Sequence, residues 1–312
     1  MDQHVQTGRR VTMEIGLCIP LLDAQVSRLR AAVVPHTLTV VGAEESIECE
    51  IVFGNLAPKT VETCKSLRWI QLESVGFGEY SSLPCLKNGS VAMTNLAGFF
   101  AVPVAESILA GVLALYRGMD QLIVLKEQRL WVGDLLRPQI TTLQGANVVL
   151  FGYGSINRRI ELLLQPFGCR IARFSSQWHA GELDAALLEA DVVISTVPHT
   201  PATVGIFDAR RLRLMKGAIF CSFGRGSAVD EDALASVLDE GVLRGAVVDV
   251  TSEEPLPDGH RFWRCPNLLL TQHTAGGSAD ELDRKIDFFL ANLQRFDGGR
   301  PLESLVDLRR GY

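Results

Sequence analysis

The chain has 312 residues, enough for two domains at about 150 residues each. Apolar residues make up 47% and charged residues 21%, which supplies packed cores and excludes disorder as the main state. Lys plus Arg number 30 against 36 Asp plus Glu, a net charge of -6, so neither nucleic acid nor an anionic membrane is expected as the chief partner.

The opening MDQHVQTGRR is polar and does not read as a secretory signal. Short apolar runs at 13–20, 38–42, 47–53 and 69–74 predict strands, and the stretches Asp23 to Arg30 and Ala57 to Leu67 predict helices between them. Such alternation implies a parallel sheet covered by helices. From Pro103 to about Leu130, Val104, Ile108, Leu109, Val112, Leu113 and Tyr116 recur at helical spacing. They predict one long helix that leaves one domain and enters the next. No window reaches the roughly 20 unbroken apolar residues of a membrane span.

A stronger alternation follows. Runs at 147–152, 170–174, 191–196, 218–223, 245–250 and 268–272 are short, apolar and rich in β-branched residues. Near-continuous apolar strands imply burial on both faces, as in a doubly wound sheet. A last amphipathic helix, about 279 to 296, ends at Gly298-Gly299. The fold class expected is therefore α/β, with two Rossmann-like doubly wound parallel-sheet domains separated by a cleft. Residues 99–278 form a domain inserted into one made of 1–98 plus 279–312. Seven cysteines without a Cys-x-x-Cys pair fit reduced thiols in a cytoplasm. The six histidines are scattered, so no metal site is expected.

After the strand Asn147 to Phe151 comes Gly152-Tyr153-Gly154-Ser155-Ile156-Asn157, followed by a helical stretch. Gly152 permits a tight turn and Gly154 lets a pyrophosphate approach the backbone. The helix N-terminus behind them offers free N–H groups and partial positive charge. Asn157 stands where the fingerprint has a third glycine, which predicts looser helix–strand packing. The next strand ends in Ser175-Ser176-Gln177, without the Asp or Glu that would bind ribose hydroxyls and repel a 2′-phosphate. With Arg170 or Arg173 nearby, this favours NADP over NAD; otherwise the serines merely cap a loop.

Arg225, Glu254 and His273 each follow a buried strand of this second alternation. Each alone is an ordinary loop residue. In doubly wound sheets, however, the carboxyl ends of strands open onto the ligand crevice, so the three could converge there. Phe77, Tyr80, Phe99 and Phe100 could wall a substrate site or belong to the core.

The stretches SVGFGEY (74–80), VPVAES (102–107), LQGANVVLFGYGSINRRI (143–160), VPHTPAT (197–203), MKGAIFCSFGRGSAVDEDAL (215–234), GAVVDVTSEEPLP (245–257) and LLLTQHTAG (268–276) resemble the D-isomer-specific 2-hydroxyacid dehydrogenases over nearly the whole chain. By that resemblance, the first domain with the C-terminal segment binds substrate, the central domain binds NADP or NAD, and homodimers form mainly through the central domain. Arg225 would hold the substrate carboxylate and polarise the 2-oxo group. His273 would act as general acid/base, with Glu254 fixing the far imidazole nitrogen. Main-chain amides of Val75 and Gly76 would complete the carboxylate cradle. Asp249 with the backbone of Phe223, Gly224 and Arg225 would hold the carboxamide. Val197, Pro198, Thr203 and Gly276 would line the cofactor site with the phosphate loop, Ser175 and Ser176. Departures from the family pattern fall at Gly78, Asn157, Ser175, Ser222 and Gln272. The resemblance implies reduction of a small 2-oxo acid to a D-2-hydroxy acid. The alternative is a cofactor-sensing binding protein, corepressor-like, on the same fold, since fold alone does not imply turnover.

Overall fold

The computed structural model describes residues 12–308, and these form two compact units. One comprises residues 12–97 and 278–308; the other is Gly98–Gly277. The polar N-terminal stretch read above lies outside the described residues.

The first unit runs β1 (Glu14–Cys18), α1 (Asp23–Ala32), β2 (Thr37–Val40), β3 (Ile51–Gly54), α2 (Pro58–Thr63), β4 (Trp69–Gln71), α3 (Pro84–Lys87) and β5 (Ala92–Thr94). Its strands form one parallel sheet in the order β2-β1-β3-β4-β5. All of β3 is buried, as a central strand covered on both faces must be, whereas edge strand β2 buries only Leu38. Residues 47–50, expected as strand, lead into β3 instead. There the Glu50 carboxylate accepts the Glu14 N–H at 2.8 Å. Strand β5 is too short to carry a readable pattern.

The second unit begins with α4 (Ala101–Tyr116) and α5 (Met119–Glu127). The single long helix expected over 103–130 is in fact these two, bent by 67°. Gly118 between them has φ 63°, a left-handed conformation that no α-helix continues through. Helix α4 buries seven residues, Val104 to Tyr116, while α5 buries none. No single helix among the described residues is long and apolar enough to cross a membrane.

The chain then alternates through β6 (Asn147–Phe151), α6 (Ser155–Leu164), β7 (Arg170–Phe174), α7 (Ala180–Leu188), β8 (Val192–Ser195), α8 (Ala209–Leu214), β9 (Ile219–Ser222), α9 (Glu231–Asp239), β10 (Gly245–Val248) and β11 (Leu268–Leu270). These six strands make a parallel sheet in the order β11-β10-β9-β8-β6-β7. Strands β8, β9 and β10 are buried throughout. Two apolar layers cover them, one including Leu183, Phe207 and Leu234, the other Ile108, Val112 and Ile160. The chain leaves β6 for β7 on one side and returns to β8 on the other. The carboxyl ends of β6 and β8 therefore flank the topological switch point, where ligands of such sheets bind.

Helix α10 (Glu281–Asp297) belongs to the first unit. Phe289 stacks on Phe53 at 4.6 Å and on Trp69 at 5.4 Å, and Phe296 stacks on Trp69 at 5.3 Å. Asn292 adds a buried hydrogen bond to Gln71 at 3.1 Å. This aromatic seam is why the C-terminal segment rejoins the first sheet.

Candidate active site

Every residue expected at the cofactor site and the reacting centre, apart from Val75 and Gly76, follows the carboxyl end of one of the six strands β6 to β11. Gly152 has φ 86°, and a Cβ there would lie 2.9 Å from Val197 Cγ1. Only glycine lets the β6 turn pass this close to the β8 turn. Thr196 Oγ1 donates to the Gly152 carbonyl at 2.9 Å and fixes the two together. Gly154 opens α6 with no side-chain cap, so the N–H groups of Ser155, Ile156 and Asn157 are the unsatisfied donors of a helix N-terminus. A Cβ on Gly154 would meet nothing nearer than 3.9 Å. Open space beside free N–H groups fits a pyrophosphate.

The looser packing expected at Asn157 is not what the structure holds. The side chain is fully buried and its Nδ2 donates to the carbonyls of Phe151 and Gly152, both at 3.2 Å. The amide thus stitches helix to turn where glycine would merely have fitted.

Ser175 and Ser176 follow β7 as expected, but the arginines invoked there are committed elsewhere. Arg170 opens β7, at the opposite edge of the sheet, and donates to Asn147 Oδ1 at 2.7 Å. Arg173 is clamped by Glu161 of α6 through Nε at 2.9 Å and through Nη2. Its guanidinium also lies over the Tyr153 ring, whose hydroxyl binds the same carboxylate. Hydrogen bonds from Arg173 and Tyr153 hold the Glu161 carboxyl down to about 2. Nothing in the sequence marks this triplet, because Glu161 and Arg173 come together only through the β6–α6–β7 crossover.

In the β8 loop, Thr203 is buried, donating to the Pro198 carbonyl at 2.6 Å and accepting from Thr200 N–H at 2.9 Å. It shapes the loop from within. His199 Nδ1 meets Ser227 Oγ at 2.7 Å, tying this loop to the one that carries Arg225.

Gly226 packs so closely on the β10 loop that a Cβ would sit 2.0 Å from the Thr251 carbonyl carbon. That contact brings the Arg225 loop against the segment leading to Glu254. Asp230 caps α9 behind it, accepting Ala233 N–H at 2.9 Å. The Arg225 guanidinium donates to its neighbour's carbonyl, Gly224 O, at 2.8 Å. Among the described residues no carboxylate lies within 4.0 Å of it, so its remaining donors are available to an anion.

His273 Nδ1 and Glu254 Oε2 are 2.7 Å apart. Burial raises the Glu254 carboxyl, but hydrogen bonds from His273 and the Thr251 N–H, with the charges of His273 and Arg225, outweigh it and hold the group below the usual carboxylate range. His273 has φ 55°, a strained conformation for a residue with a Cβ. Asp249 enforces it. Its carbonyl accepts the His273 N–H at 2.8 Å, and its Oδ1 accepts Thr271 Oγ1 at 2.6 Å, Thr274 N–H at 3.1 Å and Ala275 N–H at 3.2 Å. Asp249 is thus a clamp for the histidine turn, a task the sequence did not disclose. Gly276 ends the turn against Phe100, 3.0 Å from where a Cβ would stand.

In the first unit, the turn holding Val75 and Gly76 is braced by Asn95 Nδ2 on the Val75 carbonyl at 2.6 Å and Ser74 Oγ on the Gly76 carbonyl at 2.9 Å. Phe77 and Tyr80, considered for a substrate wall, are buried core, the Tyr80 hydroxyl donating to the Leu56 carbonyl at 2.7 Å.

A family model described as D-isomer specific 2-hydroxyacid dehydrogenase, NAD binding domain, matches residues 109–275. The chain belongs to this family. It is an NAD(P)-dependent oxidoreductase of the 2-hydroxyacid dehydrogenase type. Among its relatives, the glyoxylate/hydroxypyruvate reductase A of Salmonella newport is 32% identical over 218 residues, covering 66% of this chain and 68% of that protein. A D-isomer specific 2-hydroxyacid dehydrogenase family protein from Aeromonas salmonicida aligns with TM-score 0.79 at 27% identity, over 96% of this dehydrogenase and 100% of that chain. An NADPH-dependent glyoxylate/hydroxypyruvate reductase from Sinorhizobium meliloti, solved with NADP and sulfate, shares the fold at TM-score 0.78 and 22% identity, over 96% of this chain and 99% of that one.

Proposed function

We propose that this dehydrogenase reduces a small 2-oxo acid of the glyoxylate or hydroxypyruvate class to the corresponding D-2-hydroxy acid, with NADP preferred over NAD. The observation that carries the reading is the 2.7 Å contact between His273 and Glu254 on the same sheet edge as an arginine that, among the described residues, has no carboxylate within 4.0 Å. Arg225 holds the substrate carboxylate and polarises the 2-oxo group, its planar fork suiting both oxygens. His273 passes a proton to the carbonyl oxygen during reduction and takes it back during oxidation; Glu254 keeps the imidazole turned and balances its charge. The cofactor supplies the hydride. The first unit, with the turn of Val75 and Gly76, is read as the substrate-binding one and the second as the cofactor-binding one.

The open N-terminus of α6 with Gly152 and Gly154 takes the pyrophosphate. Val197, Pro198, Thr203 and Gly276 line the cofactor, and the backbone of Phe223 and Gly224 with Asp249 meets the carboxamide. Ser175 and Ser176, with no acid beside them, admit a 2′-phosphate. The NADP-bound Sinorhizobium reductase supports the same preference.

Helix α5 and the segment after it leave Ile123, Val124, Leu130, Trp131 and Leu135 exposed, Trp131 by 96%. That surface suits a second copy, so we propose a homodimer built on the central unit. The seven free cysteines fit a cytoplasmic setting.

The test is a panel of 2-oxo acids with NADPH and NADH, followed by the absorbance of reduced nicotinamide. His273→Asn should lower turnover far more than it lowers cofactor affinity. No oxidation with any 2-oxo acid would refute the substrate class, and normal turnover in His273→Asn would refute the histidine's role.

A further inference from the structure

The loop that carries Glu254 is exposed over residues 252–255, so packing does little to hold it. Two hydrogen bonds brace it from within. The Thr251 N–H donates to Glu254 Oε1 at 3.0 Å, and Thr251 Oγ1 donates to the Glu253 carbonyl at 2.8 Å. Among the described residues, two further hydrogen bonds reach residues 251–254 from outside the segment. One joins His273 to Glu254 Oε2. The other comes from α9, whose first residue, Glu231, accepts the Ser252 N–H on Oε1 at 2.6 Å.

Glu231 is itself kept in place. Its side chain is 14% exposed, and its Oε2 lies 3.3 Å from His260 Nε2. The His260 Nδ1 accepts the Phe262 N–H at 3.2 Å, which assigns the ring proton to Nε2, facing the carboxylate. Phe262 is buried and meets the imidazole edge to face, with centroids 4.7 Å apart. Both oxygens of this largely buried carboxylate are therefore used within the protein, as burial requires. A hydrogen bond from a main-chain N–H to a carboxylate is about twice as strong as one between neutral groups. Glu231 also lies on the segment that carries Arg225, whose next residue, Gly226, packs against Thr251. The Glu254 loop is thus gripped at two successive residues, Thr251 by close packing and Ser252 by charge.

We propose that Glu231 is a positioning residue for the dehydrogenase reaction: it holds the Ser252 N–H so that the Glu254 carboxylate meets His273 Nδ1. The proposal rests on the role read for Glu254 above. Without this anchor the internal bonds keep the shape of the loop but not its place beside His273, and a displacement of about 1 Å from productive geometry costs on the order of a hundredfold in rate.

Steady-state kinetics of the full-length protein test this, with NADPH and the fastest 2-oxo acid of the panel, on Glu231→Ala, Glu254→Ala and the double variant. Glu231→Ala should lower kcat about tenfold and leave substrate KM within about threefold. In the Glu254→Ala background the same change should lower kcat by less than about twofold, because no carboxylate is left to position. Glu231→Gln, whose amide oxygen can still accept the Ser252 N–H, should stay within about threefold of the wild-type kcat. An unchanged kcat in Glu231→Ala, a full tenfold loss in the Glu254→Ala background, or Glu231→Gln as slow as Glu231→Ala would each overturn the proposal and leave the role of Glu254 standing. Wild-type turnover in Glu254→Ala would overturn both.

Discussion

Replacing Glu254 by Gln isolates the charge of the histidine's partner from its geometry. The glutamine carbonyl can still accept the His273 Nδ1–H now made at 2.7 Å, so the imidazole keeps its orientation. What disappears is a negative charge about 4 Å from the imidazolium centre, an interaction of about 1 kcal/mol in water and about 4 kcal/mol at the effective dielectric of a protein surface. The two side chains are 52% and 38% exposed, which places the effect in the lower part of that range, about 1–3 kcal/mol. As the imidazolium develops in the transition state of alcohol oxidation, kcat in that direction should fall by about 5- to 160-fold. Substrate KM should change by less than about threefold, because the carboxylate contact proposed for Arg225 is untouched. The thermal midpoint should barely move, since exposed ion pairs contribute about 0–1 kcal/mol. Steady-state oxidation of a D-2-hydroxy acid with the wild-type protein and Glu254→Gln decides the matter. An unchanged kcat with a raised KM would refute the assignment of Glu254 to the proton-transfer step.

Glu161→Gln releases Arg173 beside the β7 end, and the ratio of NADPH to NADH affinity should rise about tenfold, or about 1.4 kcal/mol; thermal shifts at matched concentrations measure it, and an unchanged ratio would place Arg173 out of reach of the 2′-phosphate. The same substitution has a pH signature. Glu161 titrates at about 2 in the folded chain, below its usual value of about 4.3, so its stabilisation is full above that usual value and fades as pH falls towards 2. Denaturation should show Glu161→Gln less stable by about 0.5–1 kcal/mol at pH 7, with the gap closing in acid; a gap that widens in acid contradicts the ion pair. Phe289→Ala opens the aromatic seam of α10 on β3 and β4 and should cost about 3–5 kcal/mol in urea unfolding, whereas a loss below 1 kcal/mol would mean that α10 is held by other contacts. Asp230→Ala removes the α9 cap and should cost about 1 kcal/mol, with a larger fall in turnover than in stability if the cap also steadies the Arg225 loop.

Sequence periodicity was enough for the six strands β6 to β11, because a strand buried on both faces is a short unbroken apolar run whatever surrounds it. The residues Arg225, Glu254 and His273 were legible for a related reason: each stands just after such a run, and parallel strands put all those ends on one edge. Local chemistry was less visible where the signal lay in a single residue. Gly118 ended a helix whose apolar spacing continued past it, since periodicity senses faces and not backbone sign. Three-residue β5 offered no period at all.

What the sequence determined, then, was the order of elements, the glycine turn after β6 and the polar residues at the strand ends, all of which depend on neighbours along the chain. What only tertiary structure decided was the pairing of groups distant in sequence. Asp249 clamps the turn that throws His273 into a left-handed conformation, Asn157 stitches α6 to its turn, and Glu161 takes Arg173 away from the site the sequence had offered it. Hydrogen bonds and ion pairs of this kind depend on separations of a few ångströms, and those separations are set by how helices cross a sheet, which no single stretch of sequence encodes.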